Sequence, residues 1–300
     1  MKSLQIHGFG QCFATAYKMK RFSLLVALSL SAFCACNLVD GSSEKGSRTT
    51  TYSYSCLDSA VGGSSTNKAI SKTTGLIRDL AVRKKDITDS VQSAYGDAFH
   101  QDAIENKTFV LLDDPAIHAQ LQKVLTDLLA ARQNPSSIRY SIYLIDDKQI
   151  NAFTFGGHIY LTKAMYDKTK NDTDLLYAII GHEIGHSEKG HIKKTIQEME
   201  LSEKLFGNEG LTYFQLKQLL AGSFNQRNEL EADYYGIDLA RNLNKNLCAT
   251  VAFWKEMAKS ENDYNKLEDF FRTHPFSSLR AQCLENHLQQ NFGIDCSAKN

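Results

Sequence analysis

The chain of 300 residues carries 34 basic and 34 acidic side chains, for a formal charge of zero, and 42% of it is hydrophobic. Charge this balanced, with no basic block, argues against nucleic acid as a partner. Length and composition fit one globular domain large enough to bury a sizeable core.

Near the amino terminus, Lys18, Lys20 and Arg21 precede an apolar, small-residue run over 22–35 that ends at Cys36. This is the organisation of a secretory signal, and the run is too short to span a membrane comfortably. Residues 1–35 are therefore expected to be a signal peptide, with Met1 and Met19 both open as the start. Ala35 before Cys36 resembles the cleavage site of a bacterial lipoprotein, with Phe33 where Leu is usual, so Cys36 is the expected lipidation site and membrane anchor. Residues 36–68, dense in Ser, Gly and Thr, read as a flexible tether, and the folded domain is expected over 69–296. Beyond the signal, Cys56, Cys248, Cys283 and Cys296 can form one or two disulfides in an oxidising compartment, with Cys283 to Cys296 the most local pairing.

Within the domain, Ile70, Leu76, Leu80, Ile87 and Val91 predict a long amphipathic helix over 69–103. Leu121, Val124, Leu125 and Leu128 predict a second over 114–131. Alternating β-branched and aromatic residues predict a strand over 138–145. Two short runs, 149–155 and 158–162, flank Gly156-Gly157 and read as a hairpin.

The next helix carries the strongest chemical signal. Leu175, Leu176, Ile179 and Ile180 have helical spacing, Asp172 or Thr173 can cap the start, and the run continues into His182-Glu183-Ile184-Gly185-His186. Residues four apart lie one turn up on nearly the same helix face, so His182 and His186 can grip one metal. Glu183 beside them can take a proton from water and pass it to a leaving amine, which is the chemistry of a zinc peptidase. Gly181 and Gly185 are poor helix formers and suggest close approach by another backbone or a substrate. His191, after Gly190, reads as a supporting or helix-end residue rather than a ligand.

A third ligand is expected from Asn228-Glu229-Leu230-Glu231-Ala232-Asp233-Tyr234-Tyr235-Gly236. Glu229 and Asp233 share one face, with Ala232 and Gly236 on the same side to let the two helices pack, while Glu231 points roughly opposite. Glu229 is the candidate for the metal, and Asp233 for the ring N–H of a ligating histidine. Further helices are expected over 192–206, 214–221, 248–260 and 277–290, with a mobile loop over the cleft between 204 and 228.

Taken together, His182-Glu183-Ile184-Gly185-His186 and Glu229-Leu230-Glu231-Ala232-Asp233 resemble the HtpX/BepA/LoiP-like zinc metallopeptidases, family forty-eight of the metallopeptidases. Asp113-Asp114-Pro115, Asn151-Ala152-Phe153, Gly156-Gly157-His158-Ile159-Tyr160 and Thr273-His274-Pro275 follow in the family's order, so the resemblance covers about 110–290. With its amino-terminal anchor, the architecture most resembles the LoiP-like lipoprotein peptidases. The resemblance implies an α+β, mostly helical gluzincin fold with a small β-sheet beside the zinc-binding helix, and one Zn2+ completed by Glu229. It also implies that His274 either takes the fourth position at rest or stabilises the oxyanion once displaced. Arg280 can orient a carboxylate or a substrate carbonyl. In zinc peptidases of this kind the sheet edge beside the zinc helix accepts an extended peptide as an added strand; residues 158–162 are the candidate edge, with Gly157, His158, Ile159 and Tyr160 the expected substrate-binding residues.

The expectation is a lipid-anchored zinc endopeptidase on the periplasmic face of a bacterial membrane, the outer membrane favoured. Its expected substrates are unfolded or misassembled envelope proteins. The alternative is a chaperone-like assembly factor whose zinc site is held shut by His274.

Overall fold

The computed structural model describes residues 50–58, 82–206, 224–259, 274 and 278–297. The expected signal peptide, Cys36, most of the expected tether, Ile70, Leu76, Leu80 and the expected 214–221 helix lie outside the described residues. Among those described, helices dominate and a single small sheet accompanies them, so the α+β, mostly helical class holds. No helix among them is long and apolar enough to cross a membrane.

In chain order the helices are α1 (Ser55–Asp58), α2 (Asp89–Glu105), α3 (Pro115–Ala130), α4 (Lys163–Thr169), α5 (Thr173–Glu188), α6 (His191–Phe206), α7 (Gln226–Asn242), α8 (Leu247–Lys259) and α9 (Ser278–Phe292). The strands β1 (Ser141–Ile145), β2 (Ala152–Phe155) and β3 (His158–Thr162) lie between α3 and α4. Caps explain several starts. The Thr88 side chain accepts from Val91 N, Asp114 from Ala116 N and Ile117 N ahead of Pro115, and Asp172 from Leu175 N.

The long helix expected over 69–103 is not continuous. A single 3-10 turn at Lys84–Asp86 precedes α2, and Ile87, expected on the helical stripe, is buried outside any helix. The Thr88 cap starts a new helix there, and α2 packs through Gly96 rather than through a row of large apolar residues. A Cβ on Gly96 would lie 2.8 Å from the Cα of Gly156.

The sheet order is β1-β3-β2. The hairpin forms as expected, with positive φ at Gly156 and Gly157, and β2 runs antiparallel to β3. β1, however, pairs parallel with β3 across the intervening hairpin, which makes β3 the central strand. Gly157, His158, Ile159 and Tyr160 therefore do not form the expected edge; the strand residues are buried between two neighbours. Alternation along β3 divides the core. Ile159 and Leu161 join α3, α5, α7, α8 and α9 on one face, while Tyr160 joins Phe99, Phe153, Phe155, Ile192, Ile196 and Met199 on the other.

Helix α5 runs through the middle, buried continuously from Leu175 to Ser187. It meets α7 backbone to backbone. A Cβ on Gly181 would lie 2.9 Å from the Cα of Gly236, and one on Gly185 2.9 Å from the Cα of Ala232. The glycines beside the two histidines thus serve a helix crossing rather than a substrate.

The amino-terminal stretch and the cysteines both differ from expectation. Residues 50–58, expected within the flexible tether, lie against the body: Leu57 is buried, Tyr52 Oη donates to Asp238 at 2.6 Å, and the Ser53 carbonyl accepts from Tyr234 Oη at 2.6 Å. The disulfides are Cys56–Cys283 and Cys248–Cys296, not the local Cys283 to Cys296 pairing. Residues far apart in sequence meet because α9 packs beside α1 and α8.

Candidate metal centre

The one-turn spacing of His182 and His186 aims both rings from α5 toward α7, and their Nε2 atoms stand 3.0 Å apart. Glu229, in the first turn of α7, places Oε2 3.5 Å from His182 Nε2 and Oε1 3.4 Å from His186 Nε2. His274 adds a fourth donor, its Nδ1 3.3 Å from His182 Nε2 and 3.1 Å from Glu229 Oε2. All four residues are buried, their donor atoms lie within 4.8 Å of one another, and no second such group occurs among the described residues. The edge of a tetrahedron around a cation with ligand bonds of about 2.0–2.1 Å is roughly 3.3 Å, so these spacings suit a metal ion. Glu229 Oε1 points the same way, since it is buried with no hydrogen-bond partner. A buried carboxylate oxygen facing an imidazole nitrogen, here that of His186, has the chemistry of a cation receptor.

Electrostatics reinforce this. Burial resists ionisation of Glu229, but the charges of His274, His186 and Arg280 outweigh it and hold the carboxyl well below the usual range. Burial also opposes charge on His182, yet Asp233 and Glu229 raise its pKa to about 10. For His186, burial dominates and lowers the pKa well below the usual histidine value.

Around these donors stands a layer of orienting contacts. Asp233 accepts from His182 Nδ1 at 2.9 Å. Arg280 grips the same carboxylate with Nε at 2.8 Å and Nη2 at 2.9 Å, and its Nη1 reaches Glu229 Oε2 at 3.0 Å. Its guanidinium lies over Trp254, 4.7 Å from the ring centroid, and the side chain is fully buried. Arg280, expected among the catalytic residues, is therefore a clamp on two carboxylates and offers no exposed face to a substrate carbonyl.

Glu183 is 2% exposed, and burial raises its pKa against the opposing charges of His274 and His182. His274 stands between it and the sheet. Nε2 of His274 lies 2.9 Å from the Ala152 carbonyl and 3.5 Å from Glu183 Oε1. The Asn151 carbonyl accepts from Thr162 N on the β3 side, so the peptide groups of Ala152, one residue on, face the other way.

The expected substrate residues are elsewhere: His158 bonds Asp97 on α2 at 2.9 Å, and Ile159 and Tyr160 are sealed in the core. Two contacts ran against the sequence reading or beyond it. His191 Nδ1 lies 3.1 Å from His186 Nδ1, and its Nε2 lies 3.2 Å from Glu231, the residue expected to point away. The signal was a histidine five residues past His186 across Gly190, whose positive φ of 76° turns the chain back. Phe224 stacks on His186 with ring centroids 4.2 Å apart.

Known proteins share this arrangement of sequence. A beta-barrel assembly-enhancing protease of Yersinia pestis is 28% identical over 199 residues, covering 60% of this chain and 40% of that protein. Metalloprotease LoiP of Escherichia coli (strain K12) is 28% identical over 191 residues, 57% of this chain and 71% of LoiP. Mitochondrial metalloendopeptidase OMA1 of Schizosaccharomyces pombe is 26% identical over 179 residues, 57% of this chain and 52% of OMA1. The chain thus spans about two fifths of the length of the barrel-assembly-enhancing protease and about half of that of OMA1. The family model for Peptidase family M48 matches residues 115–288, from the start of α3 into α9 and across every donor of the cluster, and the chain belongs to that family.

Proposed function

We propose that the chain is a zinc-dependent endopeptidase that hydrolyses peptide bonds of unfolded or misassembled cell-envelope proteins. The observation that carries this reading is the buried carboxylate of Glu183 beside four donor residues whose ligand atoms lie within 4.8 Å of one another. His182, His186 and Glu229 would hold the ion, with His274 at the fourth corner; two imidazoles and one carboxylate are a donor set that suits zinc. When bound, zinc supplies a Lewis acid that polarises a carbonyl and acidifies water. Glu183 is assigned the proton transfers. Its raised pKa suits a group that takes a proton from water and then gives it to the leaving amine. Asp233 and Arg280 hold His182 and Glu229 in place for this.

The substrate edge is reassigned from β3 to β2. The outer side of β1 is already bridged by Leu111 to Ile145, whereas the Ala152 carbonyl on β2 faces the donor cluster. An extended polypeptide added there would bond through its backbone and so demand little of its sequence. His274 holds that carbonyl and the fourth corner together, so it would have to leave both for substrate to enter. It would then be placed to stabilise an oxyanion.

We place the protein in the bacterial cell envelope, anchored by lipid at Cys36 on the periplasmic face, with the outer membrane favoured. Two disulfides suit an oxidising compartment, and the Yersinia pestis relative is by name a barrel-assembly-enhancing protease. Casein incubated with wild type and with Glu183→Gln tests the reading. Zinc-loaded wild type is expected to cleave it, and the variant to lose at least 100-fold of that rate, at the low end of what general acid–base catalysis contributes, about 10²–10⁴-fold. If wild type with zinc cleaves nothing while the variant complements fully in cells, the protein is an assembly factor and not an enzyme.

A further inference from the structure

Both nitrogens of His186 are committed. Nε2 faces His182 Nε2 and Glu229 at 3.0 and 3.4 Å, and Nδ1 faces His191 Nδ1 at 3.1 Å. His191 is 4% exposed, and its remaining nitrogen meets Glu231 Oε2 at 3.2 Å. Glu231 is 25% exposed on its side chain and is approached at 3.4 Å by Arg227, whose guanidinium lies 4.3 Å from the Tyr54 ring centroid. A chain of single contacts therefore runs from the buried cluster to the surface.

Proton bookkeeping leaves one arrangement. If Nε2 of a neutral His186 offers its lone pair to a metal, its Nδ1 carries the hydrogen and donates to His191 Nδ1. A neutral His191 accepting at Nδ1 carries its own hydrogen on Nε2 and donates to the Glu231 carboxylate. Any other tautomer of His191 sets two N–H groups against each other across 3.1 Å in a dry site.

We infer that His191 and Glu231 are positioning residues for the metal: together they fix His186 as the Nδ1–H tautomer and hold its ring, as Asp233 and Arg280 do for His182. The site is thus supported from two sides by different devices. His182 leans on a carboxylate locked by a buried arginine; His186 leans on an imidazole backed by a carboxylate at the surface. This rests on the reading of His186 as a ligand.

The test is zinc affinity by competition with a chromophoric chelator, alongside the melting temperature of the chelated protein. His191→Phe keeps the ring volume and removes the acceptor, and zinc affinity is expected to fall roughly 10–100-fold, the usual loss when an outer partner of a ligating histidine is removed. His191→Asn places an oxygen near the old Nδ1 position and should recover part of that loss. Glu231→Gln, an isosteric change at a partly exposed position, should weaken zinc several-fold in wild type and have no further effect in the His191→Asn background. Nitrogen-15 spectra of the zinc-loaded protein should show His186 as the Nδ1–H tautomer. Variants whose metal-free melting falls while zinc affinity stays within twofold of wild type would show a merely structural role and overturn the inference. A wild type that takes up no zinc overturns both this inference and the metal-site reading; zinc bound tightly but indifferent to Glu231→Gln overturns this one alone.

Discussion

Arg280 puts a full positive charge where no water reaches it, and two carboxylates are arranged to meet it. The ion-pair cluster is strong only while complete, because removing one partner leaves the others buried and uncompensated. Arg280→Met keeps the length of the side chain and is expected to cost the chelated protein about 3–5 kcal/mol, read by urea unfolding. Acid should act in the same direction. Burial opposes ionisation of Asp233, but Arg280 and His182 hold its folded pKa below the usual value. A depressed carboxylate contributes stability above its unfolded pKa of about 3.9 and loses it as pH falls toward the lower folded value. The stability gap between metal-free wild type and Arg280→Met should therefore narrow as pH falls through that window, because the variant lacks the depressed carboxylate whose stabilisation acid removes.

At the scale of elements, the crossing of α5 and α7 sets the distance between Glu229 and the two histidines. A Cβ on Gly236 would lie 2.6 Å from His182 N, a contact no side-chain rotation can relieve. Gly236→Ala should separate the helices, cost about 1–3 kcal/mol as overpacking does, and weaken zinc binding as the donors part. Thermal melting with and without zinc checks both effects. This crossing was legible in the sequence because its information is local: two histidines four apart, two glycines beside them, and Ala232 and Gly236 on the facing helix. The hairpin at Gly156-Gly157 was legible for the same reason. Strand order was not. Nothing within 138–162 announces that β1 joins β3 in parallel, since that pairing is decided by how the strands bury Ile142, Leu144, Ile159 and Leu161 against α3 and α5. Glu231 was not legible for a related reason: on its own helix it points away from Glu229, and only the approach of His191 from α6 brings it a partner, while the carboxylates that Arg280 was expected to orient are fixed by the packing of α9 against α7.

Across the whole molecule, the ends of the described chain are tied to its centre. The Cys56–Cys283 bridge fastens residues 50–58 to α9, the helix that carries Arg280, while Cys248–Cys296 fastens the carboxyl-terminal stretch to α8. Removing Cys56–Cys283 with serines is expected to lower stability by about 2–5 kcal/mol, measured by denaturant unfolding, because it closes a loop of 227 residues. The proposed activity depends on one metal ion at the meeting of α5, α7 and His274. Anomalous diffraction at the zinc edge, from crystals of the protein purified without chelator, tests that most directly. One peak is expected, about 2.0–2.2 Å from His182 Nε2, His186 Nε2 and a Glu229 carboxylate oxygen. No peak there, or a peak bounded by other residues, would contradict the account.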